Sequence, residues 1–138
     1  MNKILFIDDD LRTSDHIFEI LNDKGYDCLF ITNPDEAIKA VNKHRKDIAL
    51  IVLDLMMNPS GMPDEAETDC GIKTGLVLYQ NHLKTVLPDT PVIIMTAIGS
   101  LSVLNETKKE KMVFEILQKP VAIFDLAECI DKALKRLN

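Results

Sequence analysis

The amino-acid sequence predicts an α/β fold, a doubly wound five-stranded parallel sheet with helices on both faces. Residues 48–53 are six apolar residues in a row, as a strand buried on both faces requires, and the carboxylate of Asp54 follows them at once. Residues 3–7 form a second, mainly apolar run, which is followed by three aspartates. Strand and helix patterns alternate five times along the chain, and right-handed crossovers join such units into one parallel sheet.

Five strands are predicted from the apolar runs. Their bounds are 3–7, 26–31, 48–53, 92–95 and 112–117. The fourth run ends at Thr96, and the fifth ends shortly before Lys119 and Pro120. Candidate site residues therefore follow four of the five predicted strands.

Five helices are predicted, one after each strand. The first ends at Gly25, the second begins at the capping residue Asn33, the third covers about 75–86, and the polar fourth covers about 102–111. The apolar faces are Ile17, Ile20 and Leu21 in the first helix, Ala37, Ile38 and Val41 in the second, and Phe124, Leu126, Ala127, Ile130, Ala133, Leu134 and Leu137 in the last.

The stretch between the third strand and the third helix is unusually long. Loops in α/β units usually have about 2–6 residues, so residues 55–71 indicate a functional or mobile segment. The acidic part of this loop, 58–71, carries Asp64, Glu65, Glu67 and Asp69. Two interpretations stay open, a solvated surface loop and a second metal or partner site. One hypothesis is that the loop screens partners by charge.

The size and composition of the chain indicate one globular domain. At 138 residues, 46% of them hydrophobic, the chain fits a single domain, 1–138, and we expect no separate output domain or DNA-binding tail. No apolar run approaches the roughly 20 residues of a membrane helix, and the N-terminus lacks the cleavage site of a secretory signal. A net charge of −6 argues against broad nucleic-acid binding, and three scattered cysteines suit the cytoplasm.

The polar residues after the strands suggest one shared site. Asp8 and Asp9 follow the first strand, Asp54 the third, Thr96 the fourth and Lys119 the fifth. Each alone could have an ordinary structural role, such as a helix cap, but in open α/β sheets these ends line the ligand crevice. Two carboxylates about 4 Å apart repel by about 4 kcal/mol at an effective dielectric of about 20, which Mg²⁺ would relieve. Lys119 and Thr96 would then hold the oxygens of a phosphoryl group on Asp54.

As an ordered set, these motifs resemble the response-regulator receiver domain of two-component phosphorelay systems. The matching segments are 4–10 (ILFIDDD), 52–57 (VLDLMM), 92–97 (VIIMTA) and 119–120 (KP). The resemblance covers essentially the whole chain. It implies a stand-alone receiver domain with the flavodoxin-like (βα)5 sheet, strand order 2-1-3-4-5, and a cis bond between Lys119 and Pro120.

The resemblance implies a magnesium site. Asp9 and Asp54 would bind Mg²⁺ directly, and Asp8 would act partly through water. The backbone carbonyl of Met56 would complete the metal shell.

The resemblance also implies a phosphoryl site and its partners. Asp54 would accept the phosphoryl group from a histidine kinase or phosphotransfer protein, Thr96 would be the switch hydroxyl, Ala97 the small residue beside the group, and Lys119 its charge partner. Output would pass to a downstream protein at the face of the fourth helix, fifth strand and fifth helix.

Two departures from the family pattern lead to further predictions. The aromatic residue that the family carries three positions before the lysine is replaced by Ile116, and Phe114 is predicted on the same strand face, so Thr96 would signal through the following loop. Met56 and Ile98, two residues beyond Asp54 and Thr96, are both apolar and would keep water from the phosphoryl group. Slow autodephosphorylation is therefore expected.

Two other functions compete with that of a phosphorylated switch. A haloacid-dehalogenase-like phosphohydrolase would also use an aspartate nucleophile and Mg²⁺, but Asp8-Asp9-Asp10-Leu11-Arg12 lacks the Thr or Val of its motif, and no acidic pair follows Lys119. A pseudo-receiver would be a scaffold that is never phosphorylated, which the complete acidic set argues against. His16, His44 and His82 are expected at the surface and not as phosphodonors.

Overall fold

The parallel sheet is present with the predicted strand order. A computed structural model describes residues 2–10, 14–97 and 99–135. The strands are β1 (Lys3–Ile7), β2 (Asp27–Ile31), β3 (Ile48–Leu53), β4 (Val92–Thr96) and β5 (Val113–Gln118). They lie in the order β2-β1-β3-β4-β5, and each neighbouring pair is parallel. From β1 the chain adds β2 on one side of the sheet and then β3, β4 and β5 on the other. Ligands of open α/β sheets bind at the point where the strand order reverses in this way, here between β1 and β3.

Helices cover both faces of the sheet. They are α1 (Ser14–Asp23), α2 (Pro34–His44), α3 (74–86), α4 (Leu101–Lys108) and α5 (Ile123–Lys135). Side chains of α1 and α5 pack on one face, and those of α2, α3 and α4 pack on the other. None of the helices in the described ranges is long and apolar enough to span a bilayer.

The third helix and the loop before it depart from regular α-helix. α3 consists of α-helical turns at Thr74–Leu78 and Lys84–Val86 with a π-helical turn, Tyr79–Leu83, between them. The acidic loop contains a short 3-10 helix, Glu65–Thr68. The loop is therefore partly ordered into a helix of its own, which its turn-forming sequence does not predict.

Three signals in the sequence predict the local structure correctly. The side chain of Asn33 accepts a hydrogen bond of 2.9 Å from the backbone N–H of Glu36 and so caps α2. Gly25 follows α1 with a φ of 90°, the left-handed conformation that commonly ends a helix. All six side chains of β3 are buried, as its continuous apolar run predicts.

The prediction for α5 needs one correction. Leu126, Ala127, Ile130, Ala133 and Leu134 are buried as expected, whereas Phe124 is 79% exposed. On a helix, residues four and seven positions further along share the face of Phe124, and these are Glu128 and Asp131. Phe124 therefore belongs to the polar face. Leu137 lies outside the described residues.

A β-bulge in β5 overturns a second expectation. The pairing of β4 with β5 shifts by one residue between Val92 and Ile93, which leaves Phe114 as an extra residue in its strand. Phe114 consequently packs on the face covered by α1 and α5, while Ile116 packs on the opposite face. The prediction that these two side chains share a strand face is wrong.

Candidate functional site

The sheet brings three carboxylates together at the carboxyl ends of its two central strands. The backbone N–H of Asp8 donates to Ile31 O, and that of Asp54 donates to Ile7 O, both at 3.0 Å, so the strand ladder continues to these residues. Carboxylate oxygens of Asp8, Asp9 and Asp54 lie within 4.8 Å of one another. Asp8 and Asp54 are buried, whereas Asp9 is exposed at the mouth of the crevice.

Lys119 joins two of these carboxylates. Its Nζ lies 2.7 Å from Asp8 Oδ2 and 3.1 Å from Asp54 Oδ2. Burial acts against the ammonium, but the hydrogen bond to Asp8 and the charge of Asp54 outweigh it and raise the pKa of Lys119. Burial is also the largest influence on Asp8 and raises the pKa of that carboxyl, although Lys119 acts in the opposite direction. The lysine therefore stays charged at neutral pH.

Backbone groups hold the remaining oxygens of the buried pair. Asp54 Oδ1 accepts a hydrogen bond of 3.1 Å from the N–H of Met56, and Asp8 Oδ1 accepts one of 2.9 Å from the N–H of Asp10. Each carboxylate thus has one oxygen bound to backbone and the other turned to Lys119. This arrangement orients both groups before any ligand binds.

The crevice beside these groups has a volume of about 540 Å³, and Asp8, Asp9, Ala97 and Lys119 are among the residues that line it. Thr96 is buried as the last residue of β4, and its carbonyl accepts a hydrogen bond of 2.9 Å from the N–H of Lys119. Ala97 is exposed and lines the crevice beside Lys119. The peptide bond between Lys119 and Pro120 is cis. Ile98 lies outside the described residues.

The charges of this site suit a divalent cation. Three carboxylates against one ammonium leave two negative charges uncompensated when all the acids are ionised. All the available donors are oxygens, which Mg²⁺ prefers. The exposed carboxylate of Asp9 has solvent access, so an ion can reach the cluster from outside.

Sequence reasoning missed the role of Gly75 next to this site. A Cβ on Gly75 would lie 2.1 Å from the carbonyl oxygen of Asp54, and the N–H of Gly75 donates to Leu55 O at 2.8 Å. The start of α3 therefore packs directly on the backbone that carries Asp54. A glycine inside a helical pattern was the signal that could have indicated such a close approach.

The acidic loop is partly tied down, which corrects two expectations. Asp64 Oδ2 accepts a hydrogen bond of 2.7 Å from Asn81 and lies 3.0 Å from His82 Nε2, both in the π-helical turn of α3. Asp64 is thus no solvated loop residue, and His82 is no free surface residue. Glu65 and Glu67 are exposed, as expected of a surface loop. The hypothesis that the loop screens partners by charge stays a prediction.

The contacts of Asp64 predict a dependence of stability on pH. Burial disfavours the charged carboxylate, but the hydrogen bonds from Asn81 and His82 outweigh it and hold the pKa of Asp64 below its usual range. Stabilisation by a depressed pKa is complete above the unfolded value of about 4 and is lost as the pH falls through the folded value. The free energy of unfolding, measured with urea at pH 7 and pH 3, should therefore fall less in Asp64→Asn than in wild type. The exposed Asp89→Asn is the control, and equal losses in all three proteins would contradict the assignment.

Comparisons with known proteins agree with this geometry. A profile of the response regulator receiver domain matches residues 4–131. Sporulation initiation phosphotransferase F of Bacillus subtilis (strain 168) is 29% identical over 132 residues, which cover 96% of this chain and 93% of that protein. A response regulator receiver domain protein from Clostridium thermocellum superimposes with a TM-score of 0.76 at 27% identity, covering 99% of this chain and 97% of that chain.

A longer relative shows the same match over part of its length. The transcriptional regulatory protein CpxR of Escherichia coli (strain K12) is 32% identical over 100 residues, which cover 72% of this chain and 35% of CpxR. This chain thus spans about a third of the length of that regulator. With nearly all of the chain matched by the family profile and the predicted strand order in place, the chain belongs to the response regulator receiver domain family of two-component systems.

Proposed function

We propose that the domain accepts a phosphoryl group on Asp54 from a histidine kinase or phosphotransfer protein and then changes its protein contacts. The observation that carries this proposal is the cluster itself. Asp54 Oδ2 lies 3.1 Å from Lys119 Nζ. Carboxylate oxygens of Asp8, Asp9 and Asp54 lie within 4.8 Å of one another. Because the chain belongs to the receiver family, we no longer consider the haloacid-dehalogenase-like phosphohydrolase as an alternative function.

The two oxygens of Asp54 suit different tasks in phosphoryl transfer. Oδ1 accepts the N–H of Met56, which leaves Oδ2, the oxygen beside Lys119, to attack phosphorus. The bond from phosphorus to the donor nitrogen breaks as the bond to Oδ2 forms, and the product is 4-aspartylphosphate. Lys119 then pairs with one phosphoryl oxygen and the Thr96 hydroxyl donates to another, so charge that develops in the transition state meets fixed donors.

Mg²⁺ is the cofactor we propose for the same crevice. Asp8, Asp9, Asp54 and the backbone carbonyl of Met56 would hold it. The support is the all-oxygen donor set and the two uncompensated negative charges. When bound, Mg²⁺ would neutralise charge on the transferred group.

The signal would leave the site at Thr96 and pass through the loop that follows β4. Thr96 ends β4, and its carbonyl accepts a hydrogen bond from the N–H of Lys119. A displacement of the end of β4 would therefore also displace the end of β5. We propose the face of α4, β5 and α5 for the downstream partner, where Leu101 is 74% exposed. The three cysteines are free, which is consistent with the cytoplasmic location that we propose.

Intact mass spectrometry tests the proposal directly. Incubation of the protein with acetyl phosphate and Mg²⁺ should add the mass of one phosphoryl group, and chelation of Mg²⁺ with EDTA should prevent the addition. Beryllofluoride with Mg²⁺ should shift backbone NMR signals around Asp54 in the same way. If neither reagent changes the protein, the phosphorylation proposal is wrong and a constitutive scaffold is favoured.

The lifetime of the phosphorylated state is predicted to depend on Met56. This side chain is 45% exposed and apolar, and its backbone N–H binds Asp54, so it lies at the mouth of the site. An asparagine here could hold an attacking water by one hydrogen bond of about 1–1.5 kcal/mol, so Met56→Asn should speed decay about tenfold. Decay of labelled protein without a phosphatase measures this.

Met56→Leu is the matched control for the lifetime experiment. Leucine keeps the position apolar, so its decay should equal that of wild type, which is expected to take longer than minutes. Equal decay in Met56→Asn and Met56→Leu would contradict the role of this side chain.

A further inference from the structure

The two ends of the long acidic loop lie close together beside β3. We call this point the neck of the loop, and it is formed by Leu55 and Met57 on one side and by Thr74 and Gly75 on the other. The N–H of Gly75 donates to Leu55 O at 2.8 Å. Next to this bond, the hydroxyl of Thr74 donates to the backbone carbonyl of Met57 at 2.6 Å and lies 3.1 Å from Gly71 O. A hydroxyl has one hydrogen, and the shorter distance assigns it to Met57.

The neck lies next to the Met56 carbonyl, the backbone group that would bind the metal. The Met56 carbonyl lies between two anchored groups, because the N–H of Met56 is bound to Asp54 and the carbonyl of Met57 is bound to Thr74. The side chain of Met57 is also buried. The orientation of the Met56 carbonyl is therefore set from both sides, on one of them by Thr74.

We propose that Thr74 is a positioning residue for the magnesium site, which its hydroxyl supports by fixing the backbone at Met57. The inference rests on the proposed function, since it requires the Met56 carbonyl to be a metal ligand. Outer partners that orient metal ligands typically change metal affinity by about 10–100-fold when removed. Thr74 acts one peptide beyond the ligand, so we expect an effect at the lower end, about tenfold.

The bond is well placed to have this effect. Thr74 is fully buried, so water cannot readily replace its hydroxyl at the Met57 carbonyl. A Cβ on Gly71 would lie 3.0 Å from the same carbonyl oxygen, so the chain packs closely around it.

Mg²⁺ titration of the apoprotein, followed by backbone NMR, tests this inference without any phosphorylation assay. Thr74→Val removes the hydroxyl at nearly constant volume, and Thr74→Ala removes it with no atom left to collide with Met57 O. Both variants should bind Mg²⁺ about tenfold more weakly than wild type. Thr74→Ser keeps the hydroxyl and should restore the affinity. If Thr74→Val fails to fold, Thr74→Ala carries the comparison.

Thr107 supplies a matched control. It is buried too, and its hydroxyl donates to a backbone carbonyl, Val103 O, at 2.7 Å, but it lies in α4. Thr107→Val should bind Mg²⁺ like wild type. Equal binding by wild type and Thr74→Ala, or equal weakening by Thr107→Val, would overturn the inference and leave the proposed function intact. A wild-type protein that binds no Mg²⁺ would overturn the metal site and the inference together.

Discussion

Asp54→Asn is expected to fold like the wild type and to accept no phosphoryl group. The amide oxygen can still accept the hydrogen bond from the N–H of Met56, so the local turn should persist. The amide nitrogen, however, replaces the carboxylate oxygen that faces Lys119 and has no free electron pair to attack phosphorus. Intact mass spectrometry after treatment with acetyl phosphate and Mg²⁺ should therefore show no added mass.

The same substitution should also weaken Mg²⁺ binding, because it removes one of the three clustered carboxylates. Asp89→Asn, an exposed aspartate in the loop before β4, is the control and should be phosphorylated like the wild type. Phosphorylation that persists in Asp54→Asn would assign the acceptor to a neighbouring carboxylate, Asp8 or Asp9, and would contradict the assignment to Asp54.

The sheet and the cluster at its edge were predictable because their signals are local. β3 has apolar side chains at every position since helices cover both faces of the sheet, and a continuous apolar run of this length is typical of such a strand. Once the strands are known to be parallel, their carboxyl ends must meet at one edge. The proximity of Asp8 and Asp54 then follows, because β1 and β3 are neighbours. Lys119 follows β5, and its long side chain reaches both carboxylates across the end of β4.

Two errors in the prediction have a different origin, since they involve contacts between distant parts of the chain. The bulge at Phe114 is a property of how β4 and β5 pair, and nothing in the sequence of β5 alone marks it. Asp64 and His82 are 18 residues apart, and their contact joins the residue before the 3-10 helix to the π-helical turn. The error at Phe124 is local instead: it matched the apolar pattern by residue type, but its position in the helix places it on the polar face.

Gly75 shows a third limit, because its importance depends on a distance that no sequence pattern reports. A Cβ there would lie 2.1 Å from Asp54 O and 2.7 Å from the Cα of Leu55. Both are backbone atoms, so neither can rotate away as the end of a side chain could. The N–H of Gly75 is bound to Leu55 O at 2.8 Å, so a shift of α3 would also break this hydrogen bond.

We expect Gly75→Ala to lower the free energy of unfolding by about 2 kcal/mol net, although alanine favours helix. The gain in helix propensity is about 0.5–1 kcal/mol, whereas overpacking costs about 1–3 kcal/mol or more, and a backbone collision lies at the upper end. Urea unfolding followed by far-UV circular dichroism measures the loss. Gly99→Ala is the matched control, because a Cβ on Gly99 meets nothing within 4 Å, and its stability should be close to that of wild type.

The rate of phosphorylation distinguishes a local displacement of Asp54 from a general loss of stability. The colliding oxygen belongs to Asp54 itself, so Gly75→Ala should accept phosphoryl groups more slowly even where it is fully folded. Thr107→Val loses a buried hydrogen bond in α4 and so reports on destabilisation far from the site. If Gly75→Ala is as stable and as rapidly phosphorylated as wild type, the close approach of α3 to β3 is not what holds Asp54 in place.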